Sequence, residues 1–190
     1  MISFILLASG FGRRFGSNKL MAEIDGKQMY RHILERLRCA AMEPVCGHEI
    51  TVVVVSQYEE ILDTARDYGM KAVMNAEAAE GISASIRLGI LNAPDSEWYF
   101  FFTADQPYLQ EATIRGFAEA VADGGERLDL ATVHAGGMPG SPTAFHKRYR
   151  DDLLALRGDV GGRKILKQHP EDVMWYEVDP KEITDIDIKA

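Results

Sequence analysis

The sequence predicts an α/β fold in which a mostly parallel sheet lies between two layers of helices. Two observations predict it. Short apolar segments rich in β-branched and aromatic residues alternate with longer segments of helical periodicity, a pattern typical of a parallel sheet covered on both faces. No linker, repeat or low-complexity tract divides the 190 residues, so we expect one domain over residues 1–190, long enough to bury its own core.

The strand segments are short and apolar, and each is followed by polar or small residues. The first, Ile2–Ala8, is almost continuously apolar, as expected for a strand buried on both faces. The remaining predicted strands are Ile50–Val55, Lys71–Met74, Trp98–Thr103, Leu128–His134, Thr143–Phe145 and Val173–Val178. Gly136–Pro142 interrupts the alternation with three glycines and two prolines, and we expect it to be irregular, as a substrate loop or at a sheet edge.

The helical segments repeat apolar residues at intervals of three and four. Met29–Cys39 places its large apolar side chains on one face in this way. The other predicted helices are Tyr58–Tyr68, Ile82–Leu91, Glu111–Ala122, Arg148–Leu156 and Val160–His169. Ligands of open α/β sheets bind beyond the carboxyl ends of the strands, so the loops that follow the strands are the places to look for a site.

Composition and charge exclude several classes of partner. Lys and Arg number 21 against 29 Asp and Glu, which gives a net charge of −8 and an isoelectric point near 5.1. Nucleic acids and anionic membranes are held mainly by clustered Lys and Arg, so we expect neither as a partner. Cys39 and Cys46 do not have the spacing of a redox or zinc pair. We therefore expect both thiols to be reduced. Since no apolar run is long enough to cross a bilayer, we expect a cytoplasmic protein.

The loop after the first strand has the chemistry of a phosphate-binding loop. It combines small residues with cations, namely Ser9, Gly10, Gly12, Arg13, Arg14, Gly16, Ser17 and Lys19. Gly and Ser let backbone N–H groups surround phosphate oxygens, and Arg and Lys neutralise their charge. The spacing matches neither GxGxxG nor a Walker A motif. A surface turn with solvated basic side chains is the alternative interpretation.

One acidic residue that follows a predicted strand could hold a metal ion. Asp105 follows the apolar strand 98–103 directly and precedes Gln106 and Pro107, which suits a carboxylate that holds Mg²⁺ against phosphates. The alternative is that Asp105 caps the next helix. A second acidic segment lies near the chain end, where Asp185 and Asp187 share one face; its periodicity alone predicts a solvated tail.

Two glycine-containing segments precede helices. Gly81, Ser83 and Ser85 lie at the start of the helix 82–91, where Ser83 could simply act as an N-cap. Further along, Gly161 and Gly162 precede Arg163, a combination that could bind a second anion. A turn between helices with a solvated Arg is the alternative for the second segment.

These motifs together resemble the MobA-like nucleotidyltransferases, over almost the whole chain from Ile2 to Asp187. The matching residues are Gly10, Gly12, Arg14, Gly16 and Lys19, the Asp105-Gln106-Pro107 element, the segment 80–89 and the final Asp-Ile-Asp. Residues 140–145 and 156–163 resemble the Gly-x-Pro…Phe…Leu-x-Gly-Asp-x-Gly-Ala-Arg stretch of the molybdenum cofactor cytidylyltransferases, with Gly162 in place of the usual Ala. The resemblance implies a Rossmann-like sheet of the nucleotide-diphospho-sugar transferase type.

The resemblance also implies site residues. Arg14, Lys19 and Asp105 are the expected catalytic residues, and Mg²⁺ is the expected cofactor, held by Asp105 and Asp187 with Asp185 as the substitute for Asp187. The nucleotide would contact Ala8, Ser9, Gly10, Gly12, Gly16, Gly81, Ser83 and Ser85. The acceptor would contact Gly140, Pro142, Gly161, Gly162 and Arg163.

The implied reaction is transfer of a nucleoside monophosphate from a nucleoside triphosphate (NTP), with CTP favoured, to the terminal phosphate of molybdopterin or molybdenum cofactor. A molybdoenzyme that receives the product is the implied protein partner. Two other functions remain open at this stage. One is a sugar-phosphate or alditol-phosphate nucleotidyltransferase, and the other is a non-catalytic accessory protein that binds the nucleotide or cofactor.

Overall fold

The computed structural model describes residues 1–10, 18–125 and 128–186. Its strands are β1 (Ile2–Ala8), β2 (Glu23–Ile24), β3 (Lys27–Gln28), β4 (Ile50–Ser56), β5 (Lys71–Met74), β6 (Trp98–Thr103), β7 (Leu130–Ala135), β8 (Met138–His146) and β9 (Val173–Glu177). Its α-helices are α1 (Met29–Ala40), α2 (Glu59–Asp67), α3 (Ile82–Asn92), α4 (Glu111–Ala122), α5 (Arg150–Ala155) and α6 (Arg163–Gln168). The predicted alternation of strands and helices is confirmed.

Within the described residues, seven strands form the central sheet, in the order β5-β4-β1-β6-β8-β7-β9. Strands β5, β4, β1 and β6 run parallel, whereas β8 is antiparallel to both of its neighbours, β6 and β7. β9 runs parallel to β7 at the sheet edge. The sheet is therefore mostly parallel, as predicted, with β8 as the reversed strand.

Alternate residues of each central strand point to opposite faces, which produces the three layers. In β1, Phe4 and Leu6 belong to the core under α1, α2 and α4, whereas Ile5 belongs to the core under α3, α5 and α6. All three side chains are fully buried. The continuously apolar sequence of β1 is thus explained by burial on both faces, and the predicted α/β/α layering is confirmed.

The prediction that Gly136–Pro142 is irregular is wrong. Gly136 and Gly137 form the turn of a β-hairpin, with φ of +56° and +82°, and the chain is already extended in β8 from Met138 onward. Positive φ at both central residues is what the tight turns of hairpins require, and glycine adopts it without a steric cost. Pro139 is tolerated because the register of the β7–β8 pair shifts between Thr132 and His134.

The short hairpin of β2 and β3 was not predicted, because two-residue strands carry too few residues for a recognisable alternation. In the described part of the chain, no helix has both the length and the apolar character needed to span a membrane.

Candidate functional site

The carboxyl ends of β1 and β6 meet where the order of the sheet reverses. After β1 the chain forms β4 and β5 on one side, then returns to place β6 on the other side of β1. The backbone N–H of Ala104 donates to the carbonyl of Leu7 at 3.3 Å, so the loops that follow the two strands begin side by side. Open α/β sheets bind ligands at such a reversal.

Two adjoining cavities open at this edge of the sheet. The first cavity, of about 250 Å³, is lined by Leu7, Ser9, Gly10, Lys19, Leu20, Ala78, Gly81, Ile82, Ser85, Thr103, Ala104, Asp105 and Asp159. The second cavity, of about 330 Å³, is lined by Leu7, Ile82, Ile86, Phe101, Thr103, Asp105, Gln106, Gly140, Ser141, Thr143, Asp159, Gly161, Gly162, Arg163 and Asp185. Leu7, Ile82, Thr103, Asp105 and Asp159 line both, so two ligands bound here would meet beside these residues.

Lys19 and Asp105 form an ion pair where the two cavities meet. Lys19 Nζ donates to Asp105 Oδ2 at 2.8 Å, and the two side chains are 18% and 23% exposed. Lys19 begins a short 3₁₀ turn, Lys19–Met21, whose start is capped by Asn18, because the Asn18 side chain accepts from the backbone N–H of Leu20. Leu20 is buried in the core, so the cap and the buried side chain together fix the position of Lys19.

Asp105 does not cap a helix. The next helix, α4, begins at Glu111 with Gln110 at its N-cap position, so the capping alternative is excluded. The backbone carbonyl of Asp105 instead accepts from the N–H of Ile186 at 3.2 Å, which holds the last described residues against the site.

Gln106 brings a second carboxylate to the site. Its buried amide Nε2 donates to Asp185 Oδ1 at 3.0 Å and to the carbonyl of Ile183 at 3.3 Å. Partial burial of the carboxyl, followed by the negative charge of Asp105, raises the pKa of Asp185. Asp105 and Asp185 therefore lie close enough to repel each other, and a divalent cation between them would relieve that repulsion.

The loop that follows β1 is held from the side by the loop that follows β4. The carbonyl of Ala8 accepts from Ser56 Oγ at 2.9 Å. The carbonyl of Ser9 accepts from Gln57 Nε2 at 2.8 Å, and that of Gly10 from the Tyr58 hydroxyl at 3.1 Å. These bonds hold residues 8–10 against the end of β4 and the two residues that follow it.

The segment from Gly81 to Ser85 forms the opposite wall of the first cavity. Gly81 has φ of +99°, and a Cβ there would lie 2.6 Å from the backbone of Gly158, so only glycine fits. The backbone N–H of Ser83 donates to the Gly158 carbonyl at 3.3 Å. Gly81 and Ser85 line the cavity, whereas Ser83 is completely buried beneath it. The N-cap position of α3 is Gly81, so Ser83 is not the N-cap.

The expected acceptor residues lie around the second cavity. Gly140, Gly161, Gly162 and Arg163 line it, and Pro142 is buried in β8 between the lining residues Ser141 and Thr143. Arg163 is exposed, and its guanidinium donates to the carbonyl of Pro139 at 3.3 Å. The structure thus places the stretch 161–163 beside the end of the β7–β8 hairpin.

Gly162 packs closely against a buried aromatic ring, and this can be tested by substitution. A Cβ at Gly162 would lie 2.6 Å from Cζ of Phe145, a side chain with no exposed surface. We expect Gly162→Ala to cost about 1–3 kcal/mol through overpacking, seen as a fall of roughly 2–10 °C in Tm. Gly161→Ala is the matched control, because its Cβ would lie 3.6 Å from Ile82, an ordinary contact. Equal Tm values for the two variants would contradict this account.

Several expected site residues fall outside the described residues. They are Gly12, Arg14, Gly16 and Asp187. The expected roles of these four residues stay predictions from the sequence. Among the expected nucleotide residues that the structure describes, Ala8 is fully buried and lines neither cavity, and its carbonyl accepts from Ser56 Oγ.

The sequence interpretation missed four site residues, Asn75, Thr103, Gln106 and Asp159. Asn75 follows the end of β5 just as Asp105 follows the end of β6, so a polar residue after a predicted strand was the available signal. Asn75 is only 1% exposed, and its amide donates to Ser9 Oγ at 3.2 Å and to Ser85 Oγ at 2.9 Å. It therefore joins two walls of the first cavity.

Curated proteins of known activity resemble this chain at low identity. A molybdenum cofactor guanylyltransferase of Vibrio campbellii is 26% identical over 171 residues, which is 89% of this chain and 80% of the relative. A 3-deoxy-manno-octulosonate cytidylyltransferase of Elusimicrobium minutum is 23% identical over 124 residues, which is 63% of this chain and 47% of the relative.

Solved structures share the fold. A nucleotidyl transferase of Methanothermobacter superposes with a TM-score of 0.78 at 21% identity, over 98% of this chain and 91% of that one. A Mycobacterium tuberculosis protein, Rv0371c, solved as a complex with manganese, gives a TM-score of 0.73 at 18% identity, over 98% and 93%. The model of the MobA-like NTP transferase domain matches residues 4–173 of this chain. The chain therefore belongs to the nucleotidyltransferases of the MobA-like NTP transferase family.

Proposed function

We propose that this protein transfers a nucleoside monophosphate from an NTP to a phosphate group of a second substrate, with Mg²⁺ as cofactor. One observation carries the proposal: two cavities of comparable size meet at the Lys19–Asp105 pair. The nucleotide would occupy the first cavity and the acceptor the second. A reaction that joins two substrates through phosphate needs this arrangement, because it places both reacting groups beside the same cation and carboxylate.

The chemistry requires alignment and charge stabilisation. A phosphate oxygen of the acceptor attacks the α-phosphorus, a new P–O bond forms, and the bond to the leaving pyrophosphate breaks. A phosphate monoester has a second pKa of about 6 and is largely dianionic near neutral pH, so no side chain has to remove a proton. Lys19 would stabilise the negative charge on the transferred phosphate, and Arg14 is the second cation expected to do so.

The residues present fit a magnesium ion. Asp105 and Asp185 line the second cavity together, and carboxylate oxygens are the ligands that Mg²⁺ takes from proteins. Asp105 and either Asp185 or Asp187 would hold the ion. When bound, it would neutralise phosphate charge and orient the phosphate oxygens. The manganese complex of Rv0371c from Mycobacterium tuberculosis, a protein of the same fold, supports a divalent cation as the cofactor.

The donor and the acceptor are the finer part of the proposal. We propose CTP as the donor and molybdopterin or molybdenum cofactor as the acceptor, because the stretch 156–163 resembles that of the cytidylyltransferases and four of its residues line the second cavity, namely Asp159, Gly161, Gly162 and Arg163. Several curated relatives are named molybdenum cofactor guanylyltransferase, which makes GTP the second candidate for the donor. The relative from Elusimicrobium minutum is named a 3-deoxy-manno-octulosonate cytidylyltransferase, which makes a sugar acid the alternative class of acceptor.

Pyrophosphate release tests this proposal. The protein is incubated with Mg²⁺, each of CTP, GTP, UTP and ATP in turn, and one acceptor at a time, namely molybdenum cofactor, a sugar phosphate or an alditol phosphate, and pyrophosphate is measured. We expect release with CTP that depends on both the metal and the acceptor. If GTP is the only nucleotide that releases pyrophosphate, the protein is a guanylyltransferase and the proposed donor is wrong. If release occurs only with a sugar-phosphate or alditol-phosphate acceptor, the proposed acceptor is wrong.

Calorimetric titration with the same four nucleotides separates catalysis from binding. Binding of CTP without pyrophosphate release, in the presence of every acceptor, would identify a non-catalytic accessory protein. Absence of both binding and release would overturn the proposed function.

A further inference from the structure

We propose that Asn75 is a positioning residue for the first cavity, and that it orients the hydroxyl of Ser85 as a hydrogen-bond donor to the bound nucleotide. The inference rests on the proposed function, since it concerns the cavity that we assign to the NTP. The Asn75 amide lies under the wall of this cavity and would act through Ser9 and Ser85 rather than by touching the substrate.

The orientation of the Asn75 amide is fixed by its neighbours. Its Oδ1 accepts from the backbone N–H of Glu77 at 3.0 Å, so the NH₂ group must face the other way. That group points to Ser9 Oγ at 3.2 Å and Ser85 Oγ at 2.9 Å. An amide NH₂ has two hydrogens, and both are used. With 1% of its surface exposed, Asn75 cannot exchange these partners for water.

The amide determines how the two hydroxyl groups can use their own protons. Ser9 Oγ donates to the carbonyl of Val55 at 3.3 Å, so its proton is already engaged. Ser85 Oγ accepts from Asn75, and within residues 1–10, 18–125 and 128–186 its proton has no hydrogen-bond acceptor. Because Ser85 lines the first cavity, its proton is available to an acceptor atom of a ligand.

The proposed ligand atom is a hydrogen-bond acceptor of the nucleotide bound in the first cavity. Asn75 also connects three segments of the cavity, namely the loops after β1 and β5 and the first turn of α3. Its loss would free the Ser85 hydroxyl to turn, so that Ser85 would no longer be held ready to donate, whereas Ser9 would keep its bond to the Val55 carbonyl.

A double-mutant cycle tests the inference. The full-length protein and its Asn75→Ala, Ser85→Ala and doubly substituted variants are titrated with CTP and with GTP in the presence of Mg²⁺. Loss of about 1.4 kcal/mol, the upper range for one hydrogen bond, corresponds to tenfold in Kd. We expect each single substitution to raise Kd about 3–10-fold. We expect the Kd of the double variant to equal that of the single variant that binds nucleotide more weakly, because both substitutions remove the same contact.

Ser96→Ala is the matched control for stability. Ser3 and Ser96 share another buried hydrogen bond, at 2.7 Å, and Ser3 lies near the start of β1, at the end of the strand away from the cavities. We expect Ser96→Ala to lower Tm as Asn75→Ala does, yet to bind nucleotide with the Kd of the unsubstituted protein. A purely structural role of Asn75 would make the two variants alike in both measurements.

The outcomes separate the inference from the proposed function. If the unsubstituted protein binds no nucleotide, the proposed function fails and the inference fails with it. If it binds and Asn75→Ala binds equally well, the inference alone is overturned. Fully additive effects of the two substitutions would also overturn it, since Asn75 would then not act through Ser85.

Discussion

Replacement of Lys19 by Met is expected to lower kcat for pyrophosphate release by about 10²–10³-fold, the loss typical of removing one group that stabilises charge in a transition state. Met keeps much of the length of the side chain and removes the charge. Lys19 Nζ lies 2.8 Å from Asp105 Oδ2, at the point where the two cavities meet. In the proposed reaction the phosphate is transferred beside this pair, so we expect the substitution to lower kcat more than it raises the Kd of the acceptor.

Lys27→Met is the matched control for this substitution. Lys27 also forms an ion pair, with Glu35, and it lies in the short strand β3 rather than at either cavity. We expect it to change kcat less than twofold, in line with the small energies of exposed ion pairs. An unchanged kcat in Lys19→Met, or an equal loss in both variants, would remove Lys19 from the mechanism.

Replacement of Asp105 by Asn is expected to raise the Mg²⁺ concentration needed for half-maximal activity. Changes around a metal ligand typically cost about 10–100-fold in metal affinity, and loss of the charge of the ligand itself is expected to cost at least as much. The amide keeps the size of the carboxylate, so the fold is preserved. Binding of Mn²⁺, measured by electron paramagnetic resonance in the absence of nucleotide, gives a reading that does not depend on activity.

Asp129→Asn is the control for Asp105→Asn. Asp129 forms an ion pair with Arg148 at 2.7 Å and lies beside His146, which pairs with Trp98 at the opposite end of β6. We expect its loss to leave metal affinity unchanged. A normal Mn²⁺ titration for Asp105→Asn would contradict the assignment of Asp105 as a ligand.

Asp185→Asn and Asp187→Asn, measured in the same way, identify the second ligand. Gln106 already holds Asp185 beside the site, so we expect the Asp185 variant to lose the greater metal affinity.

Much of the fold could be predicted because its signals are local. The alternation of apolar strands with amphipathic helices reports which faces are buried, and Phe4, Ile5 and Leu6 lie on the two sides of the sheet as that pattern requires. The hairpin at Gly136–Gly137 could not be predicted from composition, because a segment rich in proline and glycine is typical of irregular structure. The positive φ of the two glycines forms the turn, and the shift of register nearby accommodates Pro139 in β8.

The candidate site could be predicted in part. Asp105 and Lys19 were recognised from motifs, and both lie at the carboxyl edge of the sheet where parallel strands place their loops. Asn75 and Gln106 were not recognised as site residues, because each acts through partners distant in sequence. Asn75 contacts Ser9, which is 66 positions away, and Gln106 contacts Asp185, which is 79 positions away.

By itself, the sequence determined the three-layer fold and the types of residue that could bind phosphate and metal, and its net negative charge led us to expect neither nucleic acid nor an anionic membrane as a partner. Only the tertiary structure decided that two cavities share Asp105, that Gln106 brings Asp185 to it, and that a buried amide sets the direction of the Ser85 hydrogen bond. The physical reason is range. Periodicity and composition report the burial of residues that are close in sequence. Hydrogen bonds between loops depend instead on which strands are neighbours in the sheet.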